Sequence, residues 1–219
     1  MRVVVGWWLE SPWGEFADAM VERADGHRVL LAPSDDVAGL VSTTYTFDEV
    51  RVEPIVARRP APPEASAGAG GAEGSTGVGS PREPASDRGS ALPAGEVDSW
   101  VVSSPSLRLD LTVGPRTGLG RLLRLVPATV ATSPAFATLA DPVARLVLDG
   151  VRTRGTARAG RREYYGATDI REVTAMEGVF DGVPLGALAP VAPPCRFGFS
   201  STPSRPSVTQ VVTTIVDVG

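Results

Sequence analysis

The segment 151–167 holds the densest group of side chains that could do chemistry. It carries five arginines with no acidic residue among them: Arg152, Arg154, Arg158, Arg161 and Arg162. In a strand, side chains at even-numbered positions point to the same face, so Arg152, Arg154 and Arg158 would project together. Because guanidinium groups bind carboxylates and phosphates through paired hydrogen bonds, Arg152 and Arg154 are candidate ligands for an anion. The alternative is a solvated outer face, neutralised in part by nearby acids.

The residues that follow these arginines combine carboxylates with phenols. Glu163 is followed at once by Tyr164 and Tyr165, and Asp169 lies further along the chain. Inside a barrel, burial would raise the pKa of Glu163, which could then act as an acid or base with Tyr165 as a hydrogen-bond donor. Glu163, Tyr165 and Asp169 are therefore candidate catalytic residues of a metal-independent enzyme. The alternative is that the rings pack in a core and that Glu163 pairs with an arginine.

Tryptophan is concentrated at the start of the chain, where three of the four residues of this type occur: Trp7, Trp8 and Trp13. Large rigid rings bury much area at little entropic cost, which suits the wall of an apolar pocket. We therefore expect Trp8 and Trp13, together with Tyr164, to contact a small apolar ligand. Core packing is the alternative for all of these rings.

Missing residue types exclude several classes of enzyme. The chain has no lysine, one histidine (His27) and one cysteine (Cys195). Without lysine it can form no Schiff base and no P-loop lysine contact, and its single His and Cys cannot build a tetrahedral zinc site. No Gly-x-Ser-x-Gly elbow accompanies His27. We predict no cofactor and no metal.

Charge and hydropathy limit the partners. The 219 residues carry a net charge of −4, whereas nucleic-acid-binding proteins are normally basic, so no nucleic-acid partner is expected. No apolar run approaches the roughly 20 residues that span a bilayer, and the start lacks a secretory pattern. A lone cysteine suits a reducing compartment. We predict a cytoplasmic protein without a membrane partner; the sequence leaves its oligomeric state open.

A tract rich in Pro, Ala, Gly and Ser covers residues 57–96. Its larger apolar residues are only Val78 and Leu92, too few to offset the entropy of ordering such a segment. The tract is therefore predicted to be a disordered insertion. Residues 1–56 and 97–219, which carry opposite net charges, are expected to form one β-rich domain together.

Local patterns predict mainly strands joined by tight turns. Strands are expected over 3–9, 16–22, 27–32, 50–56, 100–103, 107–113, 173–180 and 208–218, with a hairpin over 151–167 and a turn at Asp181-Gly182. Helices are expected after the N-cap Ser34, over 117–126 and after Asp141. The predicted fold class is α+β: a mainly antiparallel curved sheet or β-barrel with a few short helices.

Three short motifs carry a resemblance to known sequences: Ser11-Pro12-Trp13-Gly14, Tyr45-Thr46-Phe47-Asp48 and Gly150-Val151-Arg152-Thr153-Arg154-Gly155. On these the chain, apart from the tract, resembles uncharacterised hypothetical proteins of high-GC bacteria. The resemblance implies no activity.

Three functions are compatible with these patterns. The first is a protein that binds a small apolar or anionic molecule inside a curved sheet or barrel, with Trp and Tyr on the wall and an Arg at the mouth. The second is an enzyme on the same scaffold that uses Glu163 or Asp169 with a tyrosine. The third is a protein-interaction module whose arginine-rich hairpin meets an acidic partner. An enclosed pocket, and a buried carboxylate within it, would distinguish them.

Overall fold

Two packed β-sheets form the fold. The computed structural model describes residues 1–60, 98–133, 138, 141, 153–158, 161–198 and 202–217. Within this part of the chain the sheets are mainly antiparallel and no closed barrel is present. The predicted α+β class with a curved antiparallel sheet is therefore confirmed. None of the helices in the described residues is long and apolar enough to cross a membrane.

The first sheet has four strands in sequence order: β1 (Arg2–Trp8), β2 (Phe16–Glu22), β3 (Arg28–Ala32) and β4 (Glu49–Val52). Its first two connections are antiparallel, and helix α1 (Asp35–Thr44) crosses over to make β3 and β4 parallel. The helix begins as predicted, because the Ser34 side chain accepts a hydrogen bond from the Val37 N–H at 3.3 Å. Asp35 and Asp36 then lie at the positive end of the helix dipole.

The second sheet is built around one long strand. Its members are β5 (Val56–Arg58), β6 (Asp98–Ser103), β7 (Leu107–Arg116), β8 (Arg154–Arg158), β9 (Arg161–Phe180), β10 (Val183–Pro184) and β11 (Ser207–Asp217). The order is β10-β9-β7-β6-β5, and both β8 and β11 pair with the first half of β9. Two short helices, α2 (Gly118–Leu123) and α3 (Ala128–Ala131), follow β7.

Three predicted boundaries are wrong. The strand expected over 50–56 is interrupted at Pro54, which cannot donate to a ladder, and its two halves belong to different sheets. The two strands expected between residues 161 and 180 are one, β9. Ala57 and Arg58, placed in the insertion, belong to β5 and pair with β6. Arg59 and Pro60 are also described, and residues 61–96 of the tract lie outside the described residues.

Two apolar clusters hold the sheets. The first lies between them and draws on both: Ala17, Ala19, Val21, Val29, Leu31, Ile55, Val102, Leu107, Leu109, Phe180 and Leu185. The second covers the other face of the first sheet with α1 and the segment around Cys195: Phe16, Met20, Leu30, Ala32, Val37, Ala38, Val41, Cys195 and Phe197. Strand β2 is therefore buried along its whole length.

The described residues on either side of segment 61–97 meet at an aromatic pair. The rings of Trp7 and Trp100 lie edge to face at 5.2 Å, and the Arg59 guanidinium lies 5.8 Å from the first and 5.2 Å from the second. Arg59 also approaches Asp98 at 3.6 Å. Arg59 and Asp98, on either side of residues 61–97, therefore lie next to each other.

Replacing residues 61–97 with a short Gly-Ser linker is expected to leave the fold intact. The replaced segment has few apolar residues to bury, and Arg58 lies opposite Val101, so a short link can join β5 to β6. The midpoint of thermal unfolding should fall by less than about 5 °C, roughly 1–2 kcal/mol for a chain of this size. A larger fall would show that the segment packs on the sheets.

Candidate functional site

Two backbone hydrogen bonds fix the C-terminal end of α1. Thr44 is the last residue of the helix, and the backbone N–H of Tyr45 caps it by donating to the Val41 carbonyl at 3.0 Å. The next N–H, of Thr46, donates to the Phe197 carbonyl at 2.6 Å. These bonds fix the direction in which the chain leaves the helix.

A buried carboxylate on β9 receives this helix end. The Glu163 side chain is 2% exposed and accepts hydrogen bonds from the Thr44 hydroxyl at one oxygen and from the Tyr165 hydroxyl, at 2.9 Å, at the other. Gly155 lies opposite Glu163 on β8 and has no side chain to occupy this space. The carboxylate thus joins α1 to the second sheet.

Two phenols extend the cluster. The hydroxyl oxygens of Tyr45 and Tyr165 are 2.6 Å apart. Burial, with Tyr45 and Glu163 close by, raises the pKa of Tyr165 well above its ordinary value, so this phenol keeps its proton. Because Tyr165 donates that proton to Glu163, its oxygen accepts the proton of Tyr45 when Glu163 is ionised.

A partly open pocket of about 370 Å³ lies at the same helix end, and we call it the α1 pocket. The described residues that line it form one short stretch and the start of β4: Ser42, Thr43, Thr44, Tyr45, Thr46, Phe47 and Val50. Thr44 and Tyr45 belong both to this wall and to the cluster around Glu163. Glu163 itself does not line the pocket.

The wall of the pocket is anchored on its far side. Asp48 accepts two hydrogen bonds from the Arg28 guanidinium, at 2.9 and 2.8 Å, and one from the Arg28 N–H at 2.9 Å. These bonds hold the pKa of Asp48 well below its ordinary value. The Phe47 ring lies 5.9 Å from the Phe197 ring. The stretch after α1 is therefore held at both ends.

Among the residues that the structure describes, no three His, Cys, Asp or Glu side chains lie close enough to share a metal ion. No known protein family, curated protein or solved structure matches the chain. Its function is therefore inferred from the α1 pocket and the cluster behind it.

The tryptophans expected on a ligand wall lie elsewhere. Trp8 stacks on Phe16 at 5.5 Å and donates its indole N–H to Asp18 at 2.8 Å, against the second apolar cluster. Trp13 is 47% exposed, in the turn after β1. Neither lines the α1 pocket.

The remaining candidates are spread along β8 and β9. Asp169 is buried but bound by Arg116 through two contacts of 2.7 and 2.8 Å, six residues along the strand from Glu163. Alternation places Tyr164 on the opposite face of β9 from Glu163, and its neighbour on β8 is Arg154. Arg154 is exposed, with its guanidinium 3.9 Å from Asp141. Arg152 lies outside the described residues.

Two residues of the site were missed in the sequence. Thr44 and Tyr45 end a helix far from Glu163 along the chain, and nothing local connects them. The available signal was the run of hydroxyl-bearing residues Ser42–Thr46 at the end of α1, followed by Phe47.

Proposed function

We propose that this protein binds a small, partly apolar molecule in the α1 pocket. The observation that carries the proposal is that two residues of the pocket wall, Thr44 and Tyr45, are held from behind by the buried Glu163 and by Tyr165. Binding sites need polar groups fixed in place before the ligand arrives, since each group ordered on binding lowers the affinity.

The size and lining of the pocket support a small ligand. Known ligand pockets span roughly 300–1,000 Å³, so a volume of about 370 Å³ suits a compact molecule. Phe47 and Val50 offer apolar surface to one part of it. Thr43 and Thr44 donate their hydroxyl protons to the Leu40 carbonyl and to Glu163, so their hydroxyl oxygens can accept hydrogen bonds from a polar end of the ligand.

The position of Glu163 favours binding over catalysis. A general base must lie within hydrogen-bond reach of the proton that it removes, either directly or through one water molecule. Glu163 is 2% exposed, does not line the pocket, and contacts it only through Thr44 and through the two phenols. We therefore assign Glu163 a positioning role and not a catalytic one.

Nile red, an uncharged apolar dye, is the probe for this site. The native protein should bind one dye per chain with micromolar affinity, about −8 kcal/mol, measured by fluorescence titration. Val50→Asp places a charge in the apolar wall and should weaken binding at least tenfold. Because Val50 is 47% exposed, its replacement should leave thermal stability nearly unchanged.

Val52→Asp is the matched control, since Val52 lies on the same strand, is 49% exposed and does not line the pocket. This variant should bind Nile red like the native protein. Equal weakening by both substitutions, or no saturable binding by the native protein, would contradict the proposal.

A further inference from the structure

Hydroxyl groups in the wall of the α1 pocket have their protons bound by groups outside it. Thr43 donates to the Leu40 carbonyl at 2.6 Å, and Thr44 donates to Glu163; neither acceptor lines the pocket. Each hydroxyl has one proton and two lone pairs, so these two groups can offer a ligand an acceptor. The wall is therefore suited to a ligand that donates hydrogen bonds.

Tyr45 extends this arrangement. Glu163 accepts one hydroxyl proton at each of its two oxygens, from Thr44 and from Tyr165. Two such donors stabilise the ionised carboxylate. Because Tyr165 gives its proton to Glu163, Tyr45 donates to Tyr165, and the Tyr45 oxygen likewise presents lone pairs. Three neighbouring residues of the wall thus share the same hydrogen-bonding polarity.

The electrostatic field at the pocket is negative. The pocket lies at the C-terminal end of α1, where the helix dipole is negative, and the last turn of the helix has no basic residue to compensate it. The carboxylate of Glu163 lies directly behind Thr44 and is 2% exposed, so salt screens its charge only weakly. Among the described residues, its partners are hydroxyl groups, and no guanidinium contacts it. Both features attract a positive charge.

The chain has no lysine, and the arginines that flank the pocket segment in the sequence are already paired. Arg28 binds Asp48 at 2.9 and 2.8 Å, and Arg51 binds Asp181 at 2.7 and 3.1 Å. On β8, Arg154 projects from the face opposite to the one that carries the buried carboxylate. The described wall of the pocket therefore offers no cation to an anionic ligand.

An ammonium group complements both the lone pairs and the field, because it has three N–H donors, no acceptor and a positive charge. The rings of Tyr45 and Phe47 add surfaces that attract a cation, and Val50 offers apolar contact to the rest of the molecule. We propose that the ligand of the α1 pocket is a small organic cation, a protonated amine on an apolar body. This inference rests on the binding function proposed above and names the chemical class of the ligand.

Isothermal titration calorimetry of the full chain at about pH 7 tests the proposal with three compounds of similar size: phenethylammonium, phenethyl alcohol and phenylacetate. The native protein should bind the ammonium compound at least tenfold more tightly than the alcohol, because the alcohol lacks the charge and has only one donor. Phenylacetate has no donor and carries the opposite charge, so it should show no saturable binding.

Two substitutions of Val50 separate the charge of the ligand from its apolar contacts. Val50→Asp and Val50→Arg both place a charge in the apolar wall, and both should weaken the binding of Nile red. The ratio of ammonium to alcohol affinity should rise at least threefold in Val50→Asp and fall at least tenfold in Val50→Arg. Because Val50 is 47% exposed, both variants should fold. The control is Val52→Arg, which lies outside the pocket and should keep the native ratio.

Glu163→Gln removes the buried charge with little change of shape and should lower the same ratio at least threefold. If this variant fails to fold, the Val50 pair decides the test. Binding of the alcohol or of phenylacetate as tight as that of phenethylammonium, binding of none of the three, or a ratio unchanged by the Val50 substitutions would overturn the proposal. Saturable binding of Nile red in any of these cases would leave the binding site itself standing.

Discussion

Asp18→Asn is expected to make the free energy of unfolding nearly independent of pH between about pH 5 and pH 8. In the native protein, this free energy should fall by about 2–3 kcal/mol over the same range. Asp18 is 3% exposed in the middle of β2, on the face packed against the second apolar cluster. Gly6 lies opposite it and leaves room for the carboxyl group, which accepts a hydrogen bond from Trp8 at 2.8 Å.

The sign of this effect follows from the pKa. Burial raises the pKa of Asp18 from 3.8 to about 7, although the hydrogen bond from Trp8 acts in the opposite direction. The folded state therefore holds the proton more tightly than the unfolded state. Protonated Asp18 contributes its full stabilisation, about 4 kcal/mol, below about pH 4. This contribution is lost as the pH rises through about 7.

Urea unfolding at several pH values measures this effect. Asp110→Asn is the matched control, because Asp110 is 37% exposed and pairs with Arg108 on the surface. The control should follow the native pH dependence while Asp18→Asn departs from it. If Asp18→Asn kept the native slope, another group would be responsible. Measurements stay above pH 5 because the ion-paired carboxylates of Glu22 and Asp181 have lowered pKa values in the folded protein. In more acidic solution their protonation would also lower the free energy of unfolding.

Elements with strong local signals were predictable from the sequence. Strand β2 has the predicted bounds, Phe16–Glu22, because turn residues flank it on both sides. Helix α1 starts at the predicted N-cap Ser34. The turn at Asp181-Gly182 is present, with both residues at positive φ, as a two-residue hairpin loop requires.

The length of β9 was not predictable, because buried polar pairs interrupt its apolar pattern. Asp169 and Arg171 lie in the middle of the strand and look like loop residues in the sequence. In the fold, Asp169 is bound by Arg116, and Arg171 donates to the Gly114 carbonyl at 2.9 Å. Both partners come from β7 and are distant along the chain, so only the tertiary structure stabilises a continuous strand here.

The candidate site was half predictable for the same reason. Glu163 and Tyr165 are two residues apart on a strand, so their side chains point to the same face, and the sequence alone predicted a carboxylate beside a phenol. Their partners Thr44 and Tyr45 lie more than a hundred residues away, and the sequence carries no signal of that contact. Asp18 was missed because a polar residue in a strand usually faces water. The packing of α1 and the segment around Cys195 on the first sheet buries it instead.

Phe180→Ala is expected to lower the free energy of unfolding by about 3–5 kcal/mol, the usual range for removing a buried ring. Phe180 is 1% exposed at the end of β9 and packs in the cluster between the two sheets. Two guanidinium groups of the first sheet and its turns lie over its ring, Arg23 at 5.4 Å and Arg51 at 5.5 Å. Both also bind Asp181, at 2.6 and 2.7 Å. The ring therefore supports apolar and charged contacts between the sheets at once.

The same variant tests whether residues 1–56 and 97–219 unfold as one unit. Three of the four tryptophans, Trp7, Trp8 and Trp13, belong to residues 1–56, and the fourth, Trp100, lies on β6, so tryptophan fluorescence reports mainly the first part of the chain. Far-UV circular dichroism reports both sheets. The two urea transitions should coincide in the native protein and shift together in Phe180→Ala. Val179→Ala is the control, because Val179 is 38% exposed and its truncation should change stability by less than about 0.5 kcal/mol. Separate transitions in the native protein would show that the sheets unfold independently. If Phe180→Ala shifted only the transition followed by circular dichroism, Phe180 would stabilise the second sheet alone.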